Sequence, residues 1–124
     1  MSPKSLDRWV TAYINYYSDP NRKRPYRQHP LFWAVEKFWW LTDPELRWQA
    51  ILEILRQRPS GTVISVLAAG PLEDLIHGYG PEFIDRIEAQ AQQDLAFRHL
   101  LGGVWESSTP EIWARVQAAR DMIW

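Results

Sequence analysis

Glu73, Asp74 and His77 stand at a spacing that could do chemistry. Residues three and four apart share a helical face, so both carboxylates can reach the imidazole. Such a group could move protons in a hydrolysis or contribute to a metal site. The chain offers little to complete either. Helical carboxylate metal sites take a Glu-x-x-His pair from a second helix, and no such pair occurs. His29 and His99 have no ligand-spaced neighbours. Without cysteine there is no thiolate site and no disulfide framework. A nucleophile elbow, a phosphate loop and a dinucleotide fingerprint are all missing, so no cofactor is indicated. A solvated face, or a polar network bracing a helix junction, explains the trio more simply. A small acid–base or metal-dependent hydrolase using Glu73, Asp74 and His77 is therefore the alternative reading.

A second group of carboxylates suits recognition better than catalysis. Between Gly70 and Glu111 the net charge is −6. Part of this has a local explanation. Glu82/Arg86, Asp94/Arg98 and Glu111/Arg115 lie four apart with the acid first, the favourable helical order. Glu73, Glu82 and Glu111 also fall in expected first turns, where the helix dipole favours a carboxylate. Asp74, Asp85, Glu88 and Glu106 are left with no obvious local partner. The chain also has eight tryptophans in 124 residues. Buried, an indole fills gaps between short helices and its N–H needs an acceptor; exposed, it is a typical interface anchor. Trp105, Trp113 and Trp40 are the candidate anchors, and the four unpaired carboxylates are the candidate steering groups.

The elements that must position these residues read as helices throughout. Ser5 can cap a helix over residues 6–17, with Leu6, Trp9, Val10, Tyr13, Ile14 and Tyr17 on one face. Residues 18–30 form a linker-like segment, rich in proline and carrying Arg22, Lys23, Arg24, Arg27 and His29 around Tyr26. Residues 31–41 are apolar nearly all round; such a helix is either central or presents a sticky face. Thr42-Asp43-Pro44-Glu45 starts a helix over 44–57, stopped by Pro59-Ser60-Gly61. Residues 62–69 are rich in β-branched side chains, yet no second strand exists to pair with them, so they too are expected to be helical. Gly70-Pro71 and Gly80-Pro81 each read as the end of one helix and the start of the next. Gly102-Gly103 ends a further helix, and Pro110 opens the last, over 110–124, with Ile112, Trp113, Val116, Ala119 and Ile123 inward. The expectation is a single all-α domain over 1–124, a bundle of about seven short helices. The four cap–proline starts, at Pro44, Pro71, Pro81 and Pro110, hint at stacked helical hairpins.

The runs GPLEDLI, HG, FIDRIE and GVW, within LAAGPLEDLIHGYGPEFIDRIE, DLAFRHLLGGVW and EIWARV, resemble an uncharacterised bacterial family of small Trp-rich helical proteins, a domain of unknown function. The resemblance covers about residues 48–116 and implies an all-helical bacterial domain without an assigned activity.

Charge and composition narrow the partner. Residues 1–62 carry ten Lys/Arg against six Asp/Glu, and residues 63–124 four against nine. The pI near 6.3 and the shortness of the basic run argue against nucleic acid. No apolar run approaches membrane-spanning length, and residues 1–12 are not a signal segment, so a cytoplasmic protein is expected. The leading expectation is a protein-binding module, most concretely an immunity or antitoxin-type protein covering a toxin through an acidic, aromatic-containing surface.

Overall fold

A computed structural model describes residues 2–124, and every regular element among them is helical. The all-α expectation is borne out. The chain divides into two units, one through Val63 and the other from Ile64.

The first unit contains α1 (Pro3–Ser18), α2 (Trp33–Trp40) and α3 (Pro44–Arg56). α1 begins one turn earlier than Ser5 would place it. Ser2 is the cap, its hydroxyl accepting from the Ser5 N–H at 3.2 Å, and Pro3 occupies the first turn, where a missing N–H costs nothing. Asp43 caps α3 as expected, with Oδ1 accepting from the Glu45 and Leu46 N–H groups at 3.0 and 3.2 Å. α1 packs on both α2 and α3. Its core-facing side chains meet at Phe38, whose ring centroid lies 4.5 Å from that of Trp9 and 5.2 Å from that of Tyr13. The Trp9 indole N–H donates to the Ala34 carbonyl at 2.9 Å, which satisfies a polar atom that burial would otherwise strand. Arg47 is almost fully buried and donates to the Phe38 carbonyl near the end of α2.

The basic segment after α1 is not a loose linker. His29 Nδ1 accepts from the Leu31 N–H at 3.0 Å, so its proton sits on Nε2 and donates to Asp19 at 2.8 Å. That hydrogen bond, with one from the Asn21 N–H, holds the Asp19 carboxyl below its ordinary pKa. The Arg22 guanidinium lies 5.3 and 5.1 Å from the ring centroids of Tyr16 and Tyr17. A 3-10 turn, Tyr26–Gln28, completes the segment.

α4 (Gly61–Leu67) leads into the second unit, which holds α5 (Glu73–Gln93), α6 (Leu95–Leu100) and α7 (Pro110–Ala119). The expected break at Gly70-Pro71 does not occur, that at Gly80-Pro81 is present as a kink between two helical segments, and no glycine has a positive φ. Residues Ala68–Leu72 form a π-helical turn in which the Glu73 N–H reaches back to the Ala68 carbonyl. Proline has no N–H to give, and the wider turn makes room for the Pro71 ring. Before Pro81 the helical backbone is interrupted, with Tyr79 at φ −138° and ψ 24°, so two helical segments meet there at a kink. The apolar stripe resumes beyond the kink: Leu72, Leu75 and Ile76 are buried before it, and Ile84 and Ile87 after it. α5 packs against α6 and α7.

The last helix is shorter than expected. It stops at Ala119, and the tail turns back so that the Trp124 N–H donates to the Gly102 carbonyl at 3.0 Å and its indole N–H to the His99 carbonyl at 2.7 Å. Ile123, expected inside, is exposed, as is Leu95. With the α4–α5 run counted once, the described residues form six helices, and divided at the Tyr79 kink they form seven, in line with the expected bundle of about seven.

Candidate partner-binding surface

The Glu73, Asp74 and His77 trio lies on the first turns of α5, but its members do different things. Glu73 Oε1 accepts from the Trp105 backbone N–H at 2.8 Å, tying the loop after Gly103 to the start of α5. Asp74 and His77 are exposed. Among the described residues no group of three or more His, Asp or Glu side chains is placed to hold a metal. The arrangement can fix a loop; with Glu73 engaged by an amide, two exposed side chains remain for proton transfer.

The tie has a consequence for Trp105. Its backbone is held, while its indole is 76% exposed and carries no ring partner among the described residues. Glu106, next in sequence, and Asp74, next to Glu73, are both exposed. Three of the expected partner-binding residues, Asp74, Trp105 and Glu106, are thus gathered at one end of α5. The peptide there cannot swing freely, so the indole is presented on a fixed base.

Asp85 and Glu88 sit one turn apart further along α5 and share a cation that the sequence had assigned elsewhere. Arg115, on α7, donates to Glu88 through Nε at 3.0 Å and through Nη2 at 2.5 Å, and to Asp85 Oδ1 at 2.6 Å. The (i, i+4) pairing of Arg115 with Glu111 therefore gives way to a bridge between helices. The two-pronged guanidinium hydrogen bond holds the Glu88 carboxyl below its ordinary pKa and raises that of Arg115. Glu88 is spent on this clamp, whereas the Asp85 side chain stays largely exposed. Arg98 likewise turns away from Asp94 and donates to the Ala91 and Gln92 carbonyls. Asp94 instead caps α6 through the Ala96 and Phe97 N–H groups.

Of the three candidate tryptophan anchors, Trp113 is a correction. It is buried beneath the Arg120 guanidinium, which lies 5.3 Å from its ring centroid. Trp40 belongs to the first unit and is as exposed as Trp105. Trp33 and Trp39, which sequence reasoning did not single out, are exposed on the same helix. The signal for them was available: on α2 the buried positions are Ala34, Val35 and Phe38, and a 100° step per residue from that face puts Trp33, Trp39 and Trp40 outside. A cleft of about 580 Å³ between α5, α6 and the end of α7 is lined by Glu88, Arg98, Arg120 and Asp121, each of which already has a structural role.

Among the described residues no helix is long and apolar enough to cross a membrane. No curated protein and no solved structure matches the chain. A family model does match, over residues 21–123, a wider span than the 48–116 on which the sequence resemblance rested; the chain belongs to that family, DUF6869, a family of unknown function.

Proposed function

We propose that the chain is a protein-binding module that docks a partner with a cationic surface at the start of α5. The observation that carries this reading is Trp105: a mostly exposed indole on a backbone pinned by Glu73, with Asp74 and Glu106 exposed alongside. A pre-fixed aromatic loses little freedom when it is covered, and tryptophan anchors commonly contribute about 2 kcal/mol or more to an interface. Carboxylates around such an anchor favour basic partners and speed their encounter. Asp85 extends the acidic character along α5, and Glu88 holds α7 in place. The most concrete version is a cytoplasmic immunity or antitoxin-type protein that covers a basic active site on a toxin.

The test is affinity capture from the source organism's lysate at low and moderate salt, using the wild-type chain beside Trp105→Ala and Asp74→Lys/Glu106→Lys. Both variants should show unchanged helical circular dichroism. The reading expects one stoichiometric, basic protein whose retention falls with salt and is lost in the charge-reversed variant. Trp105→Ala should weaken it about 30-fold. Capture that both variants preserve, or no stoichiometric partner on a folded wild-type protein, would overturn it.

A further inference from the structure

We propose that the cleft between α1 and α2 binds a small organic anion that carries a planar ring. The cleft measures about 400 Å³ and is lined by Ser5, Arg8, Trp9, Trp33 and Lys37. That is within the size range of small-molecule sites. No carboxylate lines it, and among the described residues neither Arg8 nor Lys37 has an ion-pair partner. Lys37 is positioned by the Trp9 ring, with Nζ 5.3 Å from the centroid. A cation–π contact orients an ammonium without neutralising it, so its donors remain available to an anion. Ser5 Oγ accepts from the Ser2 hydroxyl at 3.0 Å, which leaves its own hydrogen to donate. The polar equipment is therefore two cations and one hydroxyl donor.

Trp33 supplies the other half of the recognition. Its indole is 40% exposed, with no stacking ring and no cation over it among the described residues. It also borders an adjoining cleft of about 440 Å³ that shares Arg8, is lined further by Lys4 and Asp7, and continues past Ala12 and Leu31. A ligand with its anionic head at Arg8 and Lys37 would lay its body across the Trp33 face. The chemistry fits a phosphate or a carboxylate joined to a ring, and the two can be separated by experiment.

Isothermal titration would use adenosine monophosphate as the ring-bearing phosphate and indole-3-acetate as the ring-bearing carboxylate. Adenosine and inorganic phosphate serve as the half-ligands. At least one ring-bearing anion should bind with a Kd below about 1 mM. Arg8→Gln and Lys37→Gln should each weaken it about tenfold, since each removes a charge-assisted hydrogen bond. Trp33→Leu should weaken it by a similar factor through lost stacking, about tenfold. These positions are at the surface, and circular dichroism verifies that the variants fold. Which ring-bearing anion binds identifies the head group. The proposal is overturned if neither binds, if Arg8→Gln/Lys37→Gln leaves affinity unchanged, or if inorganic phosphate binds as tightly as the nucleotide.

Discussion

Alanine placed at four glycines of the second unit should give effects of different size and sign, because the space around each Cα differs. At Gly78, on α5, an added Cβ meets nothing within 4 Å. There alanine removes unfolded-state freedom and improves helix propensity, so Gly78→Ala should stabilise by up to about 1 kcal/mol. At Gly80 the new methyl would lie 2.6 Å from Ser108 Oγ and 3.0 Å from Ile112 Cγ2. A serine side chain can rotate away, so this should cost about 1 kcal/mol. Gly102 is different in kind, because the obstacle is the Met122 carbonyl oxygen at 1.9 Å, a backbone atom. The tail must leave. It then loses two hydrogen bonds, about 1 kcal/mol each. It also loses the partial burial of Trp124, roughly 100 Å² or about 2.5 kcal/mol. It regains the freedom of about four residues, roughly 1 kcal/mol each. The net cost of detachment is therefore small, about 0.5 kcal/mol. Gly103→Ala should cost more, about 2–3 kcal/mol, because the 2.9 Å approach to Ala68 Cβ persists after Trp124 has moved. Urea denaturation gives the order. Hydrogen exchange at the Trp124 amide, which donates to Gly102, should become fast in Gly102→Ala while the α5 amides stay protected. A protected Trp124 amide in that variant, or a Gly78→Ala protein less stable than Gly102→Ala, would refute the reasoning.

Arg115→Met should weaken the α5–α7 clamp and change the acid limb of stability. The Glu88 carboxyl is depressed in the folded state chiefly by the Arg115 hydrogen bond, so its contribution is present above the ordinary carboxylate pKa and is lost as pH falls through the folded value. Asp19 and Glu53 are depressed as well, by His29 and Arg56, and act in the same direction. Thermal melts from pH 7 down to pH 3 should show a Tm that falls more gently in Arg115→Met than in the wild type; parallel curves would remove the clamp from the account. Arg47→Met should destabilise the first unit by about 1–3 kcal/mol in urea, because it strands the Phe38 carbonyl in a buried place. A neutral result would mean that the carbonyl finds another donor.

The fold class was legible because its signals are redundant. Apolar residues recur at helical spacing from Leu6 to Val116, and no stretch had a strand to pair with. Helix ends were legible where a side chain makes them, as at Asp43-Pro44 and Thr109-Pro110. The junction at Gly80-Pro81 was legible too, as the kink at Tyr79, whereas Gly70-Pro71 was not a break at all. A proline removes one hydrogen bond and crowds one carbonyl, and the chain can meet that with a π-turn or a bend as readily as with a break. What decides between them is whether the apolar stripe on both sides faces the same neighbours, a tertiary fact. Leu67 and Ala68 before Pro71, and Leu72 and Leu75 after it, are all buried, so continuing the helix there keeps both groups covered.

The same distinction explains the candidate surface. A pattern of residue types on one helix can say which charges lack a partner four residues away, but not which long side chain arrives from another helix. Arg115 could be paired with Glu111 from sequence, since that needs only helical spacing; its real partners are 27 and 30 residues distant. The reassignment matters for function, because it takes Glu88 out of the set available to a partner and leaves Asp74, Asp85 and Glu106. Tryptophans divide by the same logic. Trp9 and Trp113 fill the interior, while Trp33, Trp39, Trp40 and Trp105 do not, although their count and spacing give no single rule for sorting them. On α2 the sorting follows from the inward face set by Ala34, Val35 and Phe38. At Trp105 it follows from one long-range hydrogen bond, Glu73 to the Trp105 amide, which fixes the loop while leaving the indole outside. A carboxylate that sequence reasoning placed in a possible catalytic trio thus acts as the support of a binding surface. For that reason Glu73→Gln, which can still accept from the amide, should retain any partner that Trp105 anchors.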